Sequence, residues 1–194
     1  MEAIDEPAVR AQTILSDEEF YAFCLRNPDL RFEREPDGKL IIMPNTGGKT
    51  GNKNSRLNAF LTFWTIESGT GIEFDSSTTF RLADGSTRSP DASWVKLDRW
   101  NALTEREQEQ FPPLCPDFAV ELMSATDTLT AAKAKMLNVW IANGCRLAWL
   151  IDPKTQQTHI FRANGEIQIV AGFDKTLSGE DVLEGFTLEL KRLM

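Results

Sequence analysis

The stretch from Pro116 to Pro153 constrains the fold more than any other part of the sequence. It contains a short apolar run, a segment of helix length and a second apolar run, in that order. This order predicts a strand, a crossover helix and a second strand. Glu121 interrupts the first apolar run, where an ionised side chain between Val120 and Leu122 is costly unless something pairs with it. The stretch therefore predicts both the centre of the fold and a carboxylate that needs a partner.

Length and composition indicate one globular domain. The chain has 194 residues, of which 41% are hydrophobic, and this is enough to bury one sizeable core. We expect an N-terminal arm over residues 1–15 and a single domain over residues 16–194. The apolar runs fall far below the roughly 18 residues that a membrane helix needs. Since no basic-then-apolar leader opens the chain either, we expect neither secretion nor membrane insertion.

The cysteines and the net charge limit which cellular compartment and which binding partners can be expected. Cys24, Cys115 and Cys145 are odd in number and form no CxxC pair, which argues against a disulfide framework and against a zinc site. A cytoplasmic location fits best. The net charge of -8 is unfavourable for a nucleic-acid-binding protein, because phosphate binding depends on Lys and Arg. The segment from Lys49 to Arg56 is one of the few local basic islands.

The rest of the chain predicts alternating helices and strands. Helices are expected near residues 17–26, 55–68 and 98–110. Strands are expected near residues 31–35, 39–44, 72–75, 78–82, 92–96, 159–162, 166–170 and, as a last edge strand, within 183–193. This succession predicts an α/β or α+β domain with a mixed sheet. We expect Trp140 and Trp149 in the core, His159 on a strand surface, and Trp100 on a surface helix or in a homodimer contact.

Three carboxylates stand in or beside predicted strands, namely Glu33, Asp91 and Glu121. If the strand after Asp91 pairs with the strand of Glu121, two acids meet at one end of a sheet. Mg²⁺ commonly uses one or two carboxylates together with water, and it would supply a Lewis acid and an activated water for phosphodiester hydrolysis. The residues alone leave a structural ion pair equally open. In that case the partner of Glu121 is one of three cations, Lys133, Lys135 or Arg88.

Several motifs occur in a characteristic order. They are Ser89-Pro90-Asp91, the run from Pro116 to Ser124, Lys135-Met136, Asn143-Gly144 and the run from Trp149 to Asp152. With these motifs the chain resembles a restriction-endonuclease-like family of unknown biological role in the PD-(D/E)XK nuclease superfamily, over roughly residues 16–190. The resemblance implies an α/β restriction-endonuclease-like fold, in which helices flank a central mixed β-sheet. It also implies hydrolysis of DNA with Mg²⁺ or Mn²⁺ as the cofactor.

The resemblance also implies roles for individual residues. Asp91 is the acid of the Pro-Asp motif and Glu121 is the second metal ligand. Glu33 matches an acid that such nucleases often place near the N-terminus. All three are therefore expected to take part in catalysis, with the metal held by Asp91 and Glu121.

The catalytic lysine departs from the superfamily motif. The position two residues after Glu121 is Met123, and relatives supply the lysine from the following helix, four residues before an aromatic. Lys135 is the natural candidate, although it precedes Trp140 by five residues. On a regular helix this rotates Lys135 by about 100° from the expected face, and a π-bulge would absorb the extra residue. Lys133 is the alternative lysine.

Two further questions stay open at this stage. Four residues in and after the polar Gly-rich segment are candidates for contact with a DNA backbone, namely Lys49, Asn52, Lys53 and Arg56. The alternative is that this segment is a plain solvated loop and helix start. The whole chain is either a metal-dependent DNA endonuclease or a non-catalytic nuclease-fold module for nucleic-acid binding or protein interaction. Met123, the shifted lysine and the acidic net charge favour the second function.

Overall fold

In the computed structural model, residues 15–194 are described, so the predicted N-terminal arm lies almost entirely outside the described residues. The helices are α1 (Asp17–Arg26), α2 (Gly48–Ser68), α3 (Leu97–Asn101), α4 (Glu105–Glu109) and α5 (Leu129–Lys135), followed by a π-helical segment (Met136–Ile141) and a C-terminal 3₁₀ turn (Leu190–Leu193). The first six strands are β1 (Arg31–Arg34), β2 (Leu40–Met43), β3 (Gly71–Asp75), β4 (Phe80–Arg81), β5 (Thr87–Arg88) and β6 (Ala92–Lys96). The other six are β7 (Phe118–Leu122), β8 (Leu147–Asp152), β9 (Gln157–Arg162), β10 (Ile167–Ala171), β11 (Thr176–Ser178) and β12 (Thr187–Glu189).

A six-stranded mixed sheet forms the centre of the domain, in the order β10-β9-β8-β7-β6-β3. Strands β7 and β8 are parallel, while every other neighbouring pair in this sheet is antiparallel. Helix α5 and the π-helical segment make the crossover between the two parallel strands. This confirms the strand, helix and strand predicted for residues 116–153, and with it the α/β fold class.

Helices cover both faces of this sheet because successive strand residues point to opposite sides. Trp149 and Phe118 pack on one face with Leu61 of α2 and with apolar residues of the C-terminal segment. Trp140 packs on the other face with Leu150. The core positions expected for Trp140 and Trp149 are therefore confirmed, since both side chains are fully buried.

A second sheet, in the order β2-β1-β5-β4, stands at one end of the central sheet. Its β1–β2 hairpin forms as predicted, with Glu33 opposite Ile41. The turn between Leu82 and Ser86 brings β5 back along β4. Since β5 ends at Arg88, this sheet leads the chain directly into Asp91 and β6. It thus places β1 beside the beginning of β6.

Three predicted boundaries were wrong, and tertiary contacts explain them. Helix α2 begins at Gly48, although glycine is a poor helix former, and Lys53 in its added first turns bonds Leu193 O of the C-terminal turn. The expected helix over 98–110 is two short helices, since Thr104 caps α4 with a capping box. The expected last edge strand is the short β12, which pairs with β11 outside the central sheet and runs into the 3₁₀ turn.

His159 was wrongly expected on a strand surface. It is only 1% exposed because β8 and β10 pair along both sides of β9 and the π-helical segment packs on that strand. Burial, assisted by nearby Lys133, lowers the pKa of His159. Among residues 15–194, no helix combines the length and apolarity needed to cross a membrane.

Candidate functional site

A cleft of about 660 Å³ opens where β7 ends and β6 begins. Its walls come from the β1–β2 hairpin, the start of α2, the turn before β6, the loop after β7, and α5. Three of the sequence-predicted site residues line it, namely Asp91, Glu121 and Lys135. They meet because β6 and β7 are antiparallel, with Ala92 opposite Val120. The predicted pairing of these two strands is thus confirmed.

Asp91 is held by three hydrogen bonds, two to β7 and one to α2. Its backbone N–H donates to Val120 O at 3.0 Å, and its carbonyl accepts from Asn58 Nδ2 at 3.0 Å. Its Oδ2 accepts from the backbone N–H of Leu122 at 2.7 Å. Burial raises the pKa of Asp91, although the Leu122 N–H and the Lys135 ammonium act in the opposite direction. The carboxyl group is therefore fixed in place and costly to ionise without a further cation.

Glu121 receives two donors on the same oxygen. Its Oε1 accepts from Lys135 Nζ at 2.8 Å and from Trp140 Nε1 at 2.8 Å. Only 15% of the Glu121 side chain is exposed, and this burial raises its pKa to about 7 against the pull of Lys135. Burial alone would lower the pKa of Lys135, but Glu121, Glu33 and Asp91 raise it above its ordinary value. Above pH 7 the pair is consequently ionised.

The π-helical segment resolves the spacing problem of the lysine. It begins directly after Lys135, and Ala142 N–H bonds Leu137 O at 2.9 Å, which is the five-residue hydrogen bond of a π-turn. Lys135 and Trp140 therefore both reach Glu121 despite the extra residue between them. The π-bulge considered from the sequence is confirmed. Lys133 makes no ion pair among the described residues and lies near His159 instead.

Glu33 is buried between two cations. Its Oε2 accepts from Arg88 NH1 at 3.1 Å, its Oε1 accepts from the backbone N–H of Ser89 at 3.1 Å, and Lys135 Nζ lies 3.9 Å from Oε1. Arg88 also bonds Glu35 at 2.5 Å, so the suggested pairing of Arg88 with Glu121 was wrong. Because both of its oxygens are engaged, Glu33 is placed to hold Lys135.

The donor set suits a hard divalent cation. Asp91 Oδ1 and Glu121 Oε2 have no hydrogen-bond partner in the described part of the chain, while the other oxygen of each carboxylate is bonded. No cluster of three or more Asp, Glu, His or Cys side chains that could hold a metal occurs within residues 15–194. Mg²⁺ often binds to only one or two carboxylates and keeps several waters. The residues present therefore fit Mg²⁺ or Mn²⁺ better than a metal that needs a closed protein cage.

The four candidate DNA contacts divide into two pairs. Lys53 Nζ bonds Leu193 O at 3.1 Å and Arg56 NH1 bonds Arg192 O at 3.2 Å, so both tie α2 to the C-terminal turn. Lys49 and Asn52 are exposed in the first turns of α2, next to residues that line the cleft. These two remain available to a ligand.

Sequence reasoning missed two features of the cleft. Arg31 lines it and favours the ionised form of Asp91, yet a single arginine at the start of a short strand carries no signal of this. Trp140 was expected only as a core residue. Its spacing from Lys135 was the available clue to its contact with Glu121.

A family model and one solved structure agree with this architecture. A family model described as "Uma2: Putative restriction endonuclease" matches residues 17–191. A solved structure from Anabaena variabilis, described as "a putative nuclease belonging to DUF820", is similar with a TM-score of 0.74 and 21% identity, covering 92% of this chain and 97% of that one. The DrdV–DNA complex gives a TM-score of 0.39 at 18% identity, over 63% of this chain and 10% of that one. No curated protein sequence matches.

Proposed function

Because the chain belongs to the Uma2 family, we propose that it is a divalent-metal-dependent endonuclease that hydrolyses DNA phosphodiester bonds. One observation carries the proposal: Asp91, Glu121 and Lys135 line a single cleft, and one oxygen of each carboxylate has no hydrogen-bond partner within residues 15–194. Two anionic oxygens for a metal and one ammonium group are a sufficient set for phosphodiester hydrolysis, which needs mainly positioning and electrostatic stabilisation.

Each residue has a separate task in this proposal. Asp91 and Glu121 would hold the metal. When bound, a divalent cation acts as a Lewis acid and lowers the pKa of a coordinated water. Lys135 offers its ammonium group to the phosphate oxygens, where charge develops in the transition state. Glu33, with both oxygens bonded, acts as a positioning residue that holds Lys135 in the cleft.

Lys135 takes the place of the lysine that the superfamily motif puts on the strand itself. The motif position is Met123, which is 8% exposed and packs in the apolar cluster around Trp140. A lysine there would need a partner within that cluster. The crossover helix instead delivers Lys135 from the other wall of the cleft, with 28% of its side chain exposed and so able to meet a substrate.

The DNA backbone would be met at the mouth of the cleft. Arg31 lines the cleft on the side of β1, and Lys49 and Asn52 are exposed at the start of α2. These residues give a local positive and hydrogen-bonding surface in a chain whose net charge is -8. Such contacts position a phosphate backbone without reading its sequence.

The first prediction concerns the metal requirement. Purified protein should convert supercoiled plasmid DNA into nicked and linear forms with Mg²⁺ or Mn²⁺, and should leave it intact with EDTA, because the proposed reaction needs the metal as a Lewis acid that lowers the pKa of the attacking water. The double variant Asp91→Ala/Glu121→Ala, purified identically, controls for a contaminating nuclease. Equal cleavage by the wild type and the double variant, or no cleavage of plasmid with either metal, would contradict the proposal.

The second prediction concerns pH. A metal must displace the proton of Glu121, whose pKa is about 7, so binding should be about tenfold weaker at pH 6 than at pH 8 from this group alone. The raised pKa of Asp91 acts in the same direction. Calorimetric titration with Mn²⁺ in two buffers of different ionisation enthalpy should show about one proton released at pH 6 and little at pH 8. An affinity that does not change with pH would contradict it.

One observation favours a second candidate function, a non-catalytic nuclease-fold module for nucleic-acid binding or protein interaction. Lys135 Nζ already pairs with Glu121 at 2.8 Å, so the buried carboxylate has a neighbouring cation without any metal. Under this alternative, calorimetry should detect no Mg²⁺ or Mn²⁺ binding at millimolar concentration. The same titration therefore separates the two functions.

A further inference from the structure

Trp140 differs from the other buried tryptophans in having a hydrogen-bond partner. Trp94, Trp140 and Trp149 are all at most 2% exposed. The indole N–H groups of Trp94 and Trp149 have no partner in the described part of the chain, whereas Trp140 Nε1 donates to Glu121 Oε1 at 2.8 Å. The hydrogen bond of Trp140 to a side chain is therefore not a general consequence of burying a tryptophan in this core.

The bond depends on the π-helical segment. Residues five apart on a regular α-helix point about 140° away from each other, so Lys135 and Trp140 would not reach the same side chain. The segment from Met136 to Ile141 adds one residue to the turn. It brings the ammonium group and the indole N–H to one oxygen of Glu121. π-Bulges are frequent at functional sites, and here the bulge has a defined local effect.

We propose that Trp140 is a positioning residue that fixes the rotation of the Glu121 carboxylate, keeping Oε2 free for the metal in the cleft that Asp91 also lines. The inference rests on the proposed function. Lys135 alone is a weak restraint, because an ammonium group on a flexible chain can reach either oxygen. The indole N–H is a single donor on a rigid ring that is fixed by its own burial. It therefore selects Oε1.

The expected effect is a loss of metal affinity. Groups that orient a metal ligand typically contribute a factor of about 10 to 100 in affinity. Trp140→Phe keeps an aromatic ring in the core and removes the N–H. Trp149→Phe is the matched control, because it deletes the same group from an equally buried ring whose N–H has no partner among the described residues. Calorimetry with Mn²⁺ should show about tenfold weaker binding for Trp140→Phe and a change within about twofold for Trp149→Phe.

Two outcomes of this titration would overturn the inference. One is wild-type Mn²⁺ affinity in Trp140→Phe. The other is an equal loss in both variants, since this would trace the effect to core packing.

A second measurement uses no metal. In the ¹H–¹⁵N spectrum of the metal-free protein, Glu121→Gln should shift the indole resonance of Trp140 and leave those of Trp94 and Trp149 in place. An unmoved Trp140 resonance would overturn the inference whatever the cleavage results. Absence of Mn²⁺ binding by the wild-type protein would instead contradict the proposed function, and the resonance would still decide whether Trp140 holds Glu121.

Discussion

Asp91→Asn should reduce Mg²⁺-dependent DNA cleavage by at least about a thousandfold while leaving the fold intact. The amide oxygen of asparagine can still accept the Leu122 N–H that Asp91 Oδ2 accepts at 2.7 Å, so the end of β7 keeps its anchor. The negative charge that would hold the metal is lost. A thousandfold decrease corresponds to about 4 kcal/mol of transition-state stabilisation, which is within the several kcal/mol that a metal ion supplies. The initial rate of plasmid nicking measures the loss of cleavage, and thermal melting followed by circular dichroism measures whether the fold is intact.

Asp117→Asn is the matched control for this variant. Asp117 is also a buried carboxylate that binds a backbone N–H of the same sheet, that of Lys96 at 2.9 Å, but it precedes β7 and does not line the cleft. It pairs with Arg99 at 2.9 Å, so its variant should lose stability and keep its cleavage rate within about threefold. Asp91→Asn protein that cleaves at the wild-type rate would show that Asp91 is no metal ligand.

The centre of the fold could be predicted because its signals are local. The apolar runs around Phe118 and Leu150 and the helix between them follow from periodicity alone. Predicting that Asp91 lies near Glu121 needed one further assumption, namely that β6 pairs with β7. The π-helical segment could also be anticipated, because Lys135 was expected in the site and Trp140 in the core, and the extra residue between them rotates one of the two away on a regular helix.

The remaining features depend on contacts between distant parts of the chain. Glu33 is engaged by Arg88 and Ser89, some 55 residues away, and nothing near Glu33 in the sequence indicates that partner. His159 alternates with apolar residues in the manner of a surface position, yet β10 and the crossover bury it. The early start of α2 likewise involves a distant contact, the bond from Lys53 to the C-terminal turn. Propensity is a weak guide where tertiary contacts decide.

Lys135→Met should impair both cleavage and folding stability. Cleavage should fall by about 100- to 1,000-fold, the usual effect of removing one preorganised group that stabilises transition-state charge. The free energy of unfolding should fall by about 3 kcal/mol at pH 8, because Glu121 and Glu33 lose the cation that lies between them. This is the lower end of what breaking a buried pair costs, since 28% of the Lys135 side chain is exposed.

The loss of stability in Lys135→Met should be smaller at pH 6 than at pH 8. Lys135 lowers the pKa of Glu121, so its removal should move that pKa above 7. Below the new pKa the carboxyl group is protonated and inexpensive to bury, and the deficit therefore shrinks as the pH falls from 8 to 6. Urea unfolding at both values tests this, with Lys133→Met as the control on the same helix, since Lys133 makes no ion pair among the described residues. A deficit in Lys135→Met that is equal at pH 6 and pH 8, or equal to that of Lys133→Met, would show that Lys135 does not neutralise the buried carboxylates.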